Sequence, residues 1–274
     1  MADKADQVRP DQVWRARGSS LYPFVGFGLL ILLWEGAILA FRVPSYLLPH
    51  VHDVVIALIE DFGLLMTHAS TTLVEVAAGF AIAVLIAIPL SVAISSSPVV
   101  EKMVYPILIA TQTIPKVAIA PLLLVWLGFG LAPKLALVVI MAFFPLVIAT
   151  VSGLKSTPVE MMRLGRSMGL TRRAMFTKIV FPFALPAVFT GMKLAATLSV
   201  IGAVVGEFVG ANSGLGFLLI RSLANLNVEL MFAALLVLSA MGVLLFNAVA
   251  LVERATIPWH ISVRRADASQ AELQ

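Results

Sequence analysis

Six apolar stretches divide the chain, at about residues 21–41, 71–94, 103–127, 132–153, 187–210 and 230–252. Each is close to the roughly 20 residues that cross a bilayer as a helix. In hydrocarbon such a segment has to satisfy its own backbone, which confines the chain to helices. The composition agrees: 60% of the 274 residues are hydrophobic, only 12% are charged, and the mean hydropathy is +1.01. A soluble domain carries about twice that charge. The expected fold is an all-α membrane protein with about six transmembrane helices. A cytosolic N-terminal tail at 1–20 and a cytosolic C-terminal tail at 253–274 would flank a membrane domain at 21–252. The first stretch is too long for a signal-peptide core, and no small-x-small cleavage site follows it, so it reads as a retained span.

Basic residues set the orientation. With the N-terminus inside, the cytosolic side holds Lys4, Arg9, Arg15, Arg17, Lys102, Lys155, Arg163, Arg166, Arg172, Arg173, Lys178, Arg254, Arg264 and Arg265. The outside holds only Arg42, Lys134 and Arg221, while Lys116 and Lys193 fall within spans. In the outer connector 42–70, Pro44 and Pro49 precede Val54, Leu58 and Leu65, a pattern for a short interfacial helix.

The segment 155–186 stands apart from the apolar spans on either side of it. Thr157-Pro158-Val159-Glu160 reads as a capping box with proline at the first helical position, so a helix is expected to start at Pro158. Gly169 after Met168 can take the left-handed conformation that ends it. Thr171 can cap a second short helix from Arg172 to about Val180, which Pro182 keeps from continuing far. Two capped turns in a basic loop point to a partner on the cytosolic side.

Within the spans, polar and small residues are the candidates for function. The third span carries Pro106, Pro115 and Pro121, tolerated where freed backbone groups find protein or water. Lys116, beside Pro115, either faces a translocation path or snorkels to the headgroups. Gly202, Gly206 and Gly210 form two overlapping GxxxG units for close helix packing, within one chain or between two. Glu207 borders that face and could line a route, hold a gate or bond to nearby backbone. Glu35, Glu75, Gln112 and Thr113 also lie in spans, with Lys116 and Lys193 as available partners for the carboxylates.

Several functions are excluded by what is missing. There is no Cys, which removes thiolate zinc sites and thiol catalysis. His50, His52, His68 and His260 are too scattered for a convincing metal site, and His50 with His52 reads as a solvated loop. No GxxxxGK[ST], HExxH or GxSxG motif is present, so the chain has no ATP-binding loop or hydrolytic centre of a known kind. The basic residues follow the membrane rule, which leaves nucleic-acid binding without support.

The hairpin and the span after it resemble the permease subunit of a bacterial ATP-binding-cassette importer. The family's cytosolic loop carries a Glu-Ala-Ala run, then a glycine, then Ile-x-Leu-Pro. Here the glycine is Gly169, and the ending reads Ile179-Val180-Phe181-Pro182 followed by Phe183-Ala184-Leu185-Pro186. Arg163-Leu164-Gly165 stand at the Glu-Ala-Ala positions, with Glu160 one turn earlier. A narrower likeness, to permeases of the nitrate, sulfonate and taurine type, rests on Ile114 through Leu122, on Trp126-Leu127-Gly128-Phe129-Gly130, and on Thr72-Leu73, Gly79-Phe80 and Glu207 with Gly214-Leu215-Gly216. That branch also has relatives importing pyrimidine vitamin precursors, riboflavin and aromatic acids.

The resemblance implies a type I importer-like permease fold in the bacterial inner membrane. It implies a second permease chain, separate ATPase subunits that carry the ATP and Mg, and a periplasmic or lipid-anchored binding protein. It also implies ATPase docking through Glu160, Met161, Arg163, Leu164, Met168, Gly169, Pro182 and Pro186. Lys116 and Glu207 are candidates for the path or gate. The permease itself would be non-catalytic and hold no cofactor. A stand-alone secondary transporter or channel is the alternative, and it would have no use for the hairpin.

Overall fold

The computed structural model describes residues 21–258, and the basic residues of the two tails beyond them, with His260, lie outside it. Its helices are α1 (Leu21–Phe41), α2 (Val51–Glu60), α3 (Phe62–Ser95), α4 (Pro98–Gln112), α5 (Ala120–Leu127), α6 (Leu131–Lys155), α7 (Val159–Ser167), α8 (Arg172–Met175), α9 (Phe181–Gly210), α10 (Leu215–Ala224) and α11 (Val228–Thr256). A 3-10 turn, Lys116–Ile119, joins α4 to α5, and a π turn, Phe176–Val180, joins α8 to α9.

Among the described residues, four runs are each long and apolar enough to cross a membrane: α3, α6, the run Arg172–Gly210 and α11. A fifth crossing is made if α4 and α5 count as one bent span. α1 spans 21 residues, of which Val25–Phe41 forms a shorter apolar stretch, so four to five of the expected six crossings are counted among the described residues. The second span begins at Phe62 rather than 71, because the stretch assigned to the outer connector continues as helix; α2 alone remains of the short interfacial helix. Glu253, placed in the tail by the sequence, belongs to α11 and is buried against Lys193 of α9.

The third span does not form a straight helix. Its axis turns by 86° between α4 and α5. Pro115 and Pro121 cannot donate backbone hydrogen bonds, so the ladder stops at Gln112, and Pro121 starts a new helix in its first turn.

The centre of the molecule is α3, α6 and α9 packed side by side. Lipid offers no hydrophobic drive to bring helices together, so close backbone approach over small residues is what holds them. A methyl group at Gly202 would come within 2.9 Å of the Cα of Val138, and one at Gly206 within 3.2 Å of the Cα of Lys134. Gly191 meets Ala149, and Gly153 meets Ala187, along the same α6–α9 seam. Gly210 faces Leu124 of α5, and Gly79 of α3 faces Val138. The three glycines of the GxxxG pattern therefore pack against α6 and α5 of their own chain.

Candidate functional site

At one end of the α6–α9 pair, chain 156–180 forms the hairpin. Its first helix begins one residue later than expected. Pro158 is the extended N-cap, with ψ of 140°, and Val159 is the first helical residue. That shift moves Glu160 to the second helical position, where a capping box cannot close. The Thr157 hydroxyl is buried with no hydrogen-bond partner among the described residues. The helix ends as a Schellman turn. Gly169 has φ of +73°, Gly169 N–H donates to the Arg166 carbonyl and Leu170 N–H to that of Gly165, each at 3.0 Å.

Thr171 caps α8 through its hydroxyl, which accepts from Ala174 N–H at 3.3 Å. Pro182 does not stop this helix. Arg172–Gly210 runs continuously, and the π turn Phe176–Val180 just ahead of Pro182 absorbs the donor that the proline lacks.

Gly165 is where α7 lies down on the following segment: a methyl there would meet Met175 Sδ at 2.7 Å and Ile179 Cδ1 at 2.8 Å. The outward surface of α7 carries Val159, Glu160, Arg163, Leu164, Arg166 and Met168, with Leu164 51% and Met168 70% exposed. Met161 is half-buried. Pro182 and Pro186 are half-buried in the first turns of α9, off the surface of α7.

The opposite end holds a buried polar network built on α10. The N–H groups that open a helix have no partner within it. Here three in succession are met by side chains: Gly214 N–H by His68 Nδ1 at 3.0 Å, Leu215 N–H by Thr72 Oγ1 at 2.8 Å, and Gly216 N–H by Glu207 Oε2 at 2.5 Å. Thr72 Oγ1 in turn donates to Glu207 Oε1 at 2.6 Å. A carboxylate at a helix N-terminus is favoured by the helix dipole as well. Glu207 is 1% exposed and is thus tied to the backbone of α10 and to α3. Gly214 has φ of +110°, and a side chain there would collide with the Glu207 carboxylate.

Beside it lies the pair Lys134–Glu75, Nζ to Oε1 2.6 Å, with Lys134 8% and Glu75 1% exposed. Glu75 therefore pairs with a lysine that the sequence had assigned to the outer surface, and not with Lys116 or Lys193. Lys193 pairs instead with Glu253, and Glu35 accepts from Val51 N–H at 2.7 Å and contacts His50 at 2.8 Å. Donor atoms of Glu35, His50 and His52 come within 4.8 Å of one another. Both Glu35 oxygens are already engaged there, as a cap on α2 and a partner for His50.

Lys116 stands at the α4–α5 bend with its Nζ 5.8 Å from the centre of the Phe144 ring, far from Glu207's network in sequence and bonded to none of its members. His68, Thr72 and Lys134 are the members that sequence reasoning missed as a group. The only signal was Thr72 and Gly214-Leu215-Gly216 within the family pattern.

Over residues 79–258 the chain matches the family described as binding-protein-dependent transport system inner membrane component. It is similar to the formylaminopyrimidine transport permease ThiX of Halalkalibacterium halodurans, 37% identical over 88% of this chain and 96% of that one. It is 32% identical to the riboflavin transport system permease RibX of Chloroflexus aurantiacus, over 85% of this chain and 88% of that one. It is 27% identical to the taurine transport system permease TauC of Escherichia coli, over 86% and 88%. The chain belongs to the inner-membrane permease family of binding-protein-dependent ATP-binding-cassette transporters. It is a multi-pass membrane component of a transport system whose family works with a solute-binding protein and an ATPase.

Proposed function

We propose that two copies of this chain form the translocation pathway of an importer, and that two separate ATPase subunits dock on their α7 hairpins. The observation that carries the reading is the hairpin itself. A short helix, closed by a Schellman turn and seated through Gly165, exposes Val159, Leu164 and Met168 between Arg163 and Arg166. Such a surface suits a groove on another protein: apolar side chains supply affinity, and charges supply register. Glu160, beside them, is the acidic group that replaces the degenerate Glu-Ala-Ala contact. Pro182 and Pro186 act from beneath, by setting how α9 leaves the hairpin.

Hydrolysis belongs to the partner ATPase, which holds ATP and Mg, and this chain has no catalytic role. Both termini lie in the cytosol with the hairpin, as the basic residues require. The bend carrying Lys116 faces the pathway. Glu207 acts on the outer gate through the α10 backbone it holds. The solute is small and organic. The similarity to the formylaminopyrimidine permease, which spans 96% of that chain, makes an aminopyrimidine the first choice.

The docking reading is tested by co-purifying the ATPase with wild type and with Gly169→Val. A β-branched residue resists the φ of +73° held there. The variant is expected to insert in the membrane and to retain about a tenth of the ATPase or less, a tenfold weakening being worth about 1.4 kcal/mol. Full retention of the ATPase would overturn the assignment.

A further inference from the structure

We propose that each single chain carries a solute subsite at the end remote from the hairpin, in a cavity floored by the Glu75–Lys134 pair. The proposal rests on the transport reading above and names where the solute is held. The cavity measures about 690 Å³ and is lined by Thr71 and Glu75 of α3, Phe129 of the α5–α6 turn, Lys134 of α6, and Asn212 and Ser213 after α9. Its volume falls in the range of small-molecule sites, about 300–1,000 Å³.

The floor is built for a solute with a donor beside an acceptor. Lys134 spends one of its three N–H groups on Glu75 Oε1. Glu75 Oε2 has no hydrogen-bond partner among the described residues, although its side chain is almost wholly buried. A buried carboxylate oxygen left unpaired is costly, and a ligand N–H that reaches it recovers that loss. An exocyclic amine next to a ring nitrogen meets both needs: the amine donates to Glu75, and the ring nitrogen accepts from Lys134.

Charge narrows the class further. Glu207 lies close behind the pair, so two buried carboxylates stand against the one Lys134 ammonium, and an anion drawn to Lys134 is repelled by the acids beside it. That argues against a simple anion such as nitrate and for a solute without negative charge. Phe129, 80% exposed at the rim, offers a flat face for a ring to stack on. Asn212 and Ser213 add hydrogen-bonding groups in the loop above. An aminopyrimidine satisfies all of these features.

The natural absence of cysteine gives a direct test. Asn212→Cys places one thiol in the cavity of the intact permease–ATPase complex, and Ser167→Cys places one on the distant hairpin as a control. Alkylation by N-ethylmaleimide is followed by the mass of this chain, alongside uptake of the same radiolabelled 4-aminopyrimidine by wild type with its ATPase and binding protein. The expected result is uptake, together with alkylation of Cys at 212 slowed at least about fivefold by millimolar 4-aminopyrimidine, as one stacked and hydrogen-bonded ring would give. Nitrate and taurine should not slow it, and the control should be unaffected. Glu75→Gln in the same background should abolish the protection; if that variant does not assemble, Phe129→Ala should weaken it.

Uptake of the aminopyrimidine without protection at 212, or protection that survives both variants, would overturn the subsite and leave the transport reading intact. Uptake of taurine or nitrate but not of the aminopyrimidine would overturn the choice of solute and the subsite together.

Discussion

Glu207 shows how a single buried carboxylate can organise one end of the molecule. It takes a hydroxyl from α3 and a backbone N–H from α10, so its two oxygens join three helices. Gly214→Ala tests that geometry. It forces a side chain into a backbone region that is almost exclusive to glycine and against the carboxylate, for a loss of about 2–3 kcal/mol. A fall in the melting temperature of the purified protein in detergent should register it, and an unchanged melting temperature would contradict the arrangement. The Glu75–Lys134 pair makes a second test at this scale. Lys134→Met leaves a buried carboxylate alone and should cost about 3–5 kcal/mol, whereas Lys134→Met with Glu75→Leu should recover much of it. A double-mutant cycle on thermal stability reads this directly. The sequence did not reveal the pair because Lys134 stands at the edge of an apolar stretch. By position it reads as an outer-surface charge. Only the packing of α6 against α3, over Gly79, turns it inward.

At the level of elements, the local signals that were legible are those decided by one or two residues. Gly169 and the Thr171 cap are where the sequence places them, because a positive φ and a hydroxyl before a helix depend on little else. The capping box at Thr157 was misread, since Pro158 adopts an extended ψ and takes the cap position for itself. The helix stop at Pro182 was misread too, because a π turn lets the ladder pass a proline. The bend at Pro115 was visible as a run of prolines, but the 86° turn was not. Two substitutions separate these cases. Thr171→Ala should lower stability by about 1 kcal/mol. Thr157→Val should leave it within about 0.5 kcal/mol or raise it, because the buried hydroxyl makes no bond that valine would lose. Equal losses in the two thermal melts would contradict this account of the hairpin.

Across the whole molecule, the polar network and the hairpin sit at opposite ends of α6 and α9. Lys134 and Lys155 mark the two ends of α6, about 30 Å apart at the rise of an α-helix, close to the thickness of a hydrocarbon core. The α6–α9 seam has glycine-mediated contacts along its length, so the two helices are built to move as one body. A push on α7, which is seated by Gly165 on the segment leading into α9, would then reach the α10 network as rigid-body rocking. The exposed apolar faces of α4, α5 and α1 remain to be covered by lipid or by a second copy. Reconstituting the chain with its ATPase and binding protein in vesicles, and measuring solute uptake with ATP, without ATP and without the ATPase, tests the central claim most directly. Uptake that requires both ATP and the ATPase is the predicted result; uptake that persists without the ATPase would make the chain a self-sufficient carrier and contradict the account.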